Sequence, residues 1–248
     1  MKKEYDVQIG TGLAGGNGLN DKQKEILYPD QNGNITDWDK IEAIIFDVDG
    51  TLYFQKPVRI RMALKMMRHL LLHPDDFREM LGIFYFRKIR ELESYRVLSI
   101  EEQAQAAAKQ AGLKNEESLL KSVKKWMFSE PLPLIRKNAD KDLISFLKRM
   151  KKTGKKIIIY SDYAPEDKLE IMQIEADAVY YPGKNDIREM KPSLQNMKTI
   201  LSQEGIAPEK TVYFGDRMEK DGISAAMAGI RFIPVGKART TKNAGLDA

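Results

Sequence analysis

Four short apolar runs, rich in β-branched residues and too brief for helices, recur along the chain: Ile41-Glu-Ala-Ile-Ile-Phe46, Lys156-Ile-Ile-Ile-Tyr160, Lys210-Thr-Val-Tyr-Phe214 and Ile230-Arg-Phe-Ile-Pro-Val235. Runs of this kind read as strands buried on both faces. Helices with clear punctuation lie among them. Ala139–Lys152 carries Leu143, Ile144, Phe146, Leu147 and Met150 and stops at Gly154; Pro192–Ser202 opens with proline in its first turn and stops at Gly205; Asp221–Ala228 stops at Gly229. Strands that alternate with helices pair in parallel through right-handed crossovers, so the expected fold class is α/β, a doubly wound parallel sheet.

One stretch breaks the alternation. Between Pro57 and Phe128 no strand pattern occurs, and Val58–Leu72, Pro74–Tyr95, Ile100–Ala111 and Glu116–Phe128 read as helices, the third with Ser99 and Glu102 spaced as a capping box and Gly112 as its stop. The expected organisation is an α/β core from residues 41–56 and 130–235 with an all-helical insertion over residues 57–129. Residues 1–40, rich in Gly, Asn and Asp, read as a flexible extension, and residues 236–248 as a polar tail. Gly10, Gly12 and Gly15 match G-x-G-x-x-G, but Tyr5-Asp-Val-Gln-Ile is a poor strand and Asn17–Asn20 a poor helix start, so the match carries no dinucleotide site.

Composition narrows the chemistry. There is no Cys, which excludes disulfides, thiol catalysis and thiolate-bound metal, and His69 and His73 are the only histidines, so a zinc site lacks a third ligand. Oxygen-ligand chemistry remains. Lys plus Arg number 41 against 36 for Asp plus Glu, a net charge of +5 that suits small anionic ligands without the reader motif that nucleic-acid binding requires. No apolar run approaches the ~20 residues of a membrane span, and no apolar block follows Lys2 and Lys3, so a cytoplasmic protein is expected.

The acidic residues are concentrated at strand ends. Asp47-Val-Asp49-Gly50-Thr51 follows the first run, with both carboxylates on one side of an extended chain. Gly215-Asp216-Arg-Met-Glu219-Lys-Asp221 follows the third, and parallel strands deliver both segments to the same edge. Carboxylates that converge need a cation, and a set of oxygen donors alone points to Mg²⁺. Ser161 follows the second run and Lys191 precedes Pro192; a hydroxyl can donate to a phosphoryl oxygen, and an ammonium can offset charge on carboxylate or phosphate. Singly, each reads as a turn, a cap or a surface lysine.

In joint order, Asp47-x-Asp49, Ser161, Lys191-Pro192 and Gly215-Asp216-x-x-x-x-Asp221 strongly resemble the haloacid dehalogenase-like (HAD) superfamily over residues 41–235. The resemblance implies a Rossmann-like HAD core and a Mg²⁺-dependent phosphatase acting on a small organic phosphate monoester. Carried onto this chain, it makes Asp47 the nucleophile that is phosphorylated and Asp49 the acid and then the base. Lys191 orients Asp47; Thr51, Ser161 and Gly50 contact substrate; Asp47, the Asp49 carbonyl, Asp216 and Asp221 hold Mg²⁺, with Glu219 an alternative to Asp221. Namesake dehalogenases resemble D-x-Y at the first motif and use no metal, so Asp49 counts against dehalogenation. A phosphomutase shares the Asp pair and is the alternative enzyme. Asp162 departs from the Asn of many relatives, which puts neighbouring hydrogen bonds in question.

The helical insertion resembles the family's C1 cap, which closes over the site and selects substrate. Its first helix carries Lys56, Arg59, Arg61, Lys65 and Arg68 with no acid between Gln55 and Pro74. A solvated face is the default expectation for those cations; attraction of anionic substrates, or a membrane-peripheral role without catalysis, is the alternative. Trp126, Phe128, Tyr85 and Phe86 read as core, whereas Tyr53 and Phe54 fall near the opening.

Overall fold

The structure is a computed structural model that describes residues 36–92, 99–113 and 115–235. The glycine motif at Gly10, the end of the second helix at Tyr95 and the tail over residues 236–248 lie outside the described residues. Strands β1 (Ala43–Phe46), β2 (Lys156–Tyr160), β3 (Ala178–Tyr180), β4 (Thr211–Gly215) and β5 (Arg231–Pro234) form one parallel sheet in the order β3-β2-β1-β4-β5. The direction of winding reverses between β1 and β4, and ligands bind such sheets at that switch, outside the strand ends.

Side chains alternate between the two faces. Ile44, Phe46, Ile159, Phe214 and Ile233 pack on one side, joined by Phe146 and Leu147 of α6 (Lys141–Lys152). Ile45, Ile158, Tyr160, Tyr213 and Phe232 pack on the other, against Met197 and Ile200 of α8 (Leu194–Glu204) and Ala225 of α9 (Ile223–Met227). Burial on both faces explains why β1 is apolar throughout; each buried large side chain contributes roughly 1.5–3 kcal/mol.

The helices after β1 are α1 (Gln55–Leu72), α2 (Phe77–Leu92), α3 (Ile100–Ala111) and α4 (Glu116–Val123), followed by α5 (Leu132–Lys137). In α3 the Ser99 side chain accepts from the Glu102 N–H while the Glu102 carboxylate accepts from the Ser99 N–H, and Gly112 ends the helix left-handed. No helix among the described residues is long and apolar enough to cross a membrane.

Four expectations are corrected. The sheet has a strand the pattern did not mark, β3, an edge strand of three residues pinned by Asp177, whose carboxylate accepts from the Ile157 N–H. Pro192 lies ahead of α8, which opens at Leu194 with Ser193 as its cap. The helix from Glu116 gives way at Lys124 to a π-helical turn, Lys124–Ser129, and Asp221 sits in a second such turn, Met218–Gly222, ahead of α9. Of the N-terminal segment only residues 36–40 are described, and there Trp38 lies edge-on to Phe146 and stacks with Phe214.

Candidate active site

The register sets Phe46 beside Ile159 and Phe214, so the residues that follow leave the sheet at one edge. The Asp47 N–H donates to the Phe214 carbonyl at 2.9 Å, and the chain then folds back, with the Leu52 N–H donating to the Val48 carbonyl. Gly50 turns this loop at φ +96°, and a Cβ there would lie 2.1 Å from Asp216 Oδ2. Its first contribution is therefore room for Asp216. Gly215 similarly leaves space for the Asp221 side chain, 2.4 Å from where a Cβ would stand.

Asp47, Asp216 and Asp221 each offer an oxygen within 4.8 Å of the others. Lys191 Nζ enters this group, 2.5 Å from Asp47 Oδ1 and 2.7 Å from Asp221 Oδ1, and also meets the Tyr160 carbonyl and the Tyr213 hydroxyl. Burial works against the charge on Lys191, but Asp221 and Asp47 outweigh it and hold the ammonium well above the usual lysine range. Burial pushes the Asp47 carboxyl up; Lys191 pulls it back, and Asp221 and Asp216 push it up again. Asp216 is pushed up to about 6, first by burial and then by Asp221. One ammonium does not neutralise three carboxylates, two of them buried and one half-buried.

The donors left open suit a cation. Asp216 Oδ1 is buried and has no hydrogen-bond partner among the described residues. Asp221 is already committed: its Oδ1 accepts from Lys191 and the Tyr213 hydroxyl, and its Oδ2 from the Arg217 N–H. Glu219, the alternative, is exposed and paired with Arg217, so geometry favours Asp221 as the support. A set of hard oxygen donors fits Mg²⁺, with Asp47 and Asp216 the side chains best placed to hold it.

Asp49 stands apart from the cluster and has its own cation. Lys168 Nζ, on α7 (Glu166–Ile171), lies 2.5 Å from Asp49 Oδ1, and the Tyr53 hydroxyl donates to the same oxygen at 2.6 Å. Burial favours the neutral acid, but Lys168 and Tyr53 outweigh it and hold Asp49 below the ordinary carboxylate range.

Asp162 acquires specific partners that answer its departure from Asn. Its Oδ1 accepts from the Lys191 N–H at 2.8 Å and its Oδ2 from Lys220 Nζ at 2.8 Å, while its carbonyl accepts from Arg90 of α2 at 2.6 Å. The Arg90 guanidinium also lies over the Tyr163 ring, 4.1 Å from its centroid.

A cavity of about 310 Å³ opens at this edge, bounded by Asp47, Asp49, Lys191, Asp216 and Asp221 at one end. Apolar lining comes from Val58, Met62 and Met66 of α1 and from Trp126, Met127 and Phe128 of the first π-helical turn, and the same helical layer adds Arg59 and Arg87. Trp126 and Phe86 are core as expected; Trp126 also lines the cavity, as does Phe128, which packs against the core. Tyr53 lines it too; Phe54 is exposed and does not. Thr51 and Ser161 are buried beside the site without lining the cavity: the Thr51 hydroxyl donates to Asp47 Oδ2 at 2.8 Å, and Ser161 Oγ accepts from the Tyr163 N–H. Lys168, Lys220 and Arg90 were not anticipated, since each meets its partner across at least 58 residues and belongs to no local motif.

No curated protein sequence matches the chain. Similar solved structures include a 2-haloacid dehalogenase from Pseudomonas syringae pv. Tomato DC3000, with 14% identity, TM-score 0.56 and coverage of 77% of this chain and 85% of that one. Another is an L-2-haloacid dehalogenase from Xanthobacter autotrophicus with chloropropionic acid covalently bound, at 16% identity, TM-score 0.53 and 84% of each chain. A third is a HAD-hydrolase from Bacillus subtilis bound to magnesium, at 12% identity, TM-score 0.53 and coverage of 77% and 87%. Identities this low speak for the fold alone. The family pattern for haloacid dehalogenase-like hydrolases matches residues 44–235, the span that carries the acidic edge and, but for Ala43, the described strands, and the chain belongs to that family.

Proposed function

We propose that the protein is a Mg²⁺-dependent phosphatase that hydrolyses a phosphate monoester through an aspartyl-phosphate. The observation that carries this is the cluster of Asp47, Asp216 and Asp221 around Lys191, with Asp216 Oδ1 lacking a hydrogen-bond partner among the described residues. Asp47 attacks phosphorus, the ester P–O bond breaks, and the Asp49–Lys168 pair supplies the proton to the departing alkoxide. Asp49 then takes a proton from water as it attacks the same phosphorus, releasing phosphate and restoring Asp47. Lys191 holds Asp47 in line, and Thr51 fixes its second oxygen. Bound Mg²⁺ would offset the repulsion between nucleophile and phosphate and stabilise charge in the transition state.

The cavity refines the substrate. Met62, Met66, Trp126 and Phe128 give the cavity an apolar stretch of wall with no hydrogen-bonding group but the indole N–H, while Arg59 and Arg87 add cations from the helical layer. The pocket favours an ester with an apolar organic part, and α1 to α4 act as its helical cap, excluding water.

Purified protein should release phosphate from an aryl phosphate with Mg²⁺ and lose about a hundredfold or more of that rate in EDTA, recovering when Mg²⁺ is restored. Full activity in EDTA, or halide release from 2-chloropropionate in place of phosphate release, would overturn the proposal. Gly50→Ala tests the geometry. Its methyl group would displace the Asp216 carboxylate, and a shift of this size lowers turnover by about a hundredfold while the circular dichroism stays that of the parent. A wild-type rate would mean that Asp216 need not stand where it does.

A further inference from the structure

Helix α1 is apolar on two opposite sides. Val58 and Met62 are buried, with Met66 and Leu70 half-buried along the same line, and this side faces the cavity and core. Directly across the helix stand Ile60, Leu64, Met67 and Leu71, exposed by 52%, 54%, 54% and 80%. Their spacing of four, three and four residues places them within an arc of about 60°, a continuous row. Leu72 at the end of α1 and Phe77 at the start of α2 are exposed as well. Scattered exposed leucines are ordinary on protein surfaces, but a row in register is a contact face.

The charge around the row selects what it contacts. By helical periodicity Arg61 and Arg68 border it on one side and Lys56 on the other, all exposed and without an ion pair among the described residues, whereas Arg59 lies on the cavity side. Lys65 is held by Glu130, and α1 contains no acidic residue. The nearest acids beyond it are Asp75 and Asp76, the second paired with His69. A symmetric contact between two copies would set these cations against their own kind, which is destabilising. An anionic lipid surface presents the complement of both features: phosphate for the guanidinium groups and hydrocarbon for the row between them.

We infer that α1 docks the protein on anionic membranes, lying in the plane of the interface with Ile60, Leu64, Met67 and Leu71 inserted and Arg61 and Arg68 on lipid phosphates. This placement is independent of the chemistry at Asp47.

Sedimentation with vesicles tests it. The protein should pellet with vesicles of phosphatidylcholine and phosphatidylglycerol at about three to one, less as salt is raised, and remain in the supernatant with phosphatidylcholine alone. Leu64→Ser with Leu71→Ser, and separately Arg61→Gln with Arg68→Gln, should each lower partitioning about tenfold or more. None of these side chains lines the cavity, so aryl phosphate hydrolysis in the absence of vesicles should match the parent and report intact folding. Failure to pellet with the anionic vesicles, equal pelleting with neutral ones, or unchanged binding by either double variant would overturn the inference. A dimer in light scattering that the Leu64→Ser and Leu71→Ser pair abolishes would assign the row to a second copy instead.

Discussion

Asp47→Asn should stop turnover, by about 10⁴-fold or more in kcat, in a protein that remains folded. The amide keeps the shape of the carboxyl group but cannot form an acyl phosphate. Stability should change by no more than about 1–2 kcal/mol, because Lys191 retains Asp221, the Tyr160 carbonyl and the Tyr213 hydroxyl, and a buried negative charge is removed from beside Asp216. Phosphate release from an aryl phosphate, alongside thermal denaturation, measures both. A variant that retained more than a few per cent of parent activity would assign the attack on phosphorus to another group.

Lys191→Met should produce the opposite balance, with stability lost as well as activity. The ammonium is the only cation within hydrogen-bonding reach of both Asp47 and Asp221 among the described residues, and its removal leaves three carboxylates within 4.8 Å without it. Stripping one partner from a buried ionic group costs about 3–5 kcal/mol, which for a domain of this size lowers the melting temperature by roughly 10 °C. Added Mg²⁺ should recover part of that loss and do so more strongly in Lys191→Met than in the parent, since a ligand that binds only the folded state stabilises it. Melting curves in EDTA and in excess Mg²⁺ provide the comparison; equal Mg²⁺ effects in both proteins would remove the cation from the cluster.

Much of the arrangement was readable before any coordinates. Central strands buried on both faces must be apolar along their whole length, so β1, β2 and β4 stand out, and acidic residues immediately after them have only the sheet edge to occupy. That logic brought Asp47, Asp216 and Asp221 together correctly. It failed where structure depends on distant partners. Strand β3 has three residues and exists because Asp177 clasps Ile157 and because Tyr180 pairs with Tyr160, neither of which leaves a periodic trace. Lys168 reaches Asp49 from 119 residues away, and only the path of the chain after β2 brings it there. The π-helical turn that presents Trp126 and Phe128 to the cavity adds a residue to the local repeat, which periodic patterns read as an ordinary helix end.

Arg90 gives the helical layer a latch. Its guanidinium, on α2, grips the main-chain carbonyl of Asp162 and rests on Tyr163, so any outward swing of that layer from the sheet must let go of a charged hydrogen bond worth roughly 1.5–3 kcal/mol. The same loop carries the Asp162 carboxylate that accepts from the Lys191 N–H, and the Lys191 ammonium in turn meets Asp47. Asp162 thus ties the helical layer and the acidic edge together through one residue, its carbonyl held from above and its carboxylate from below.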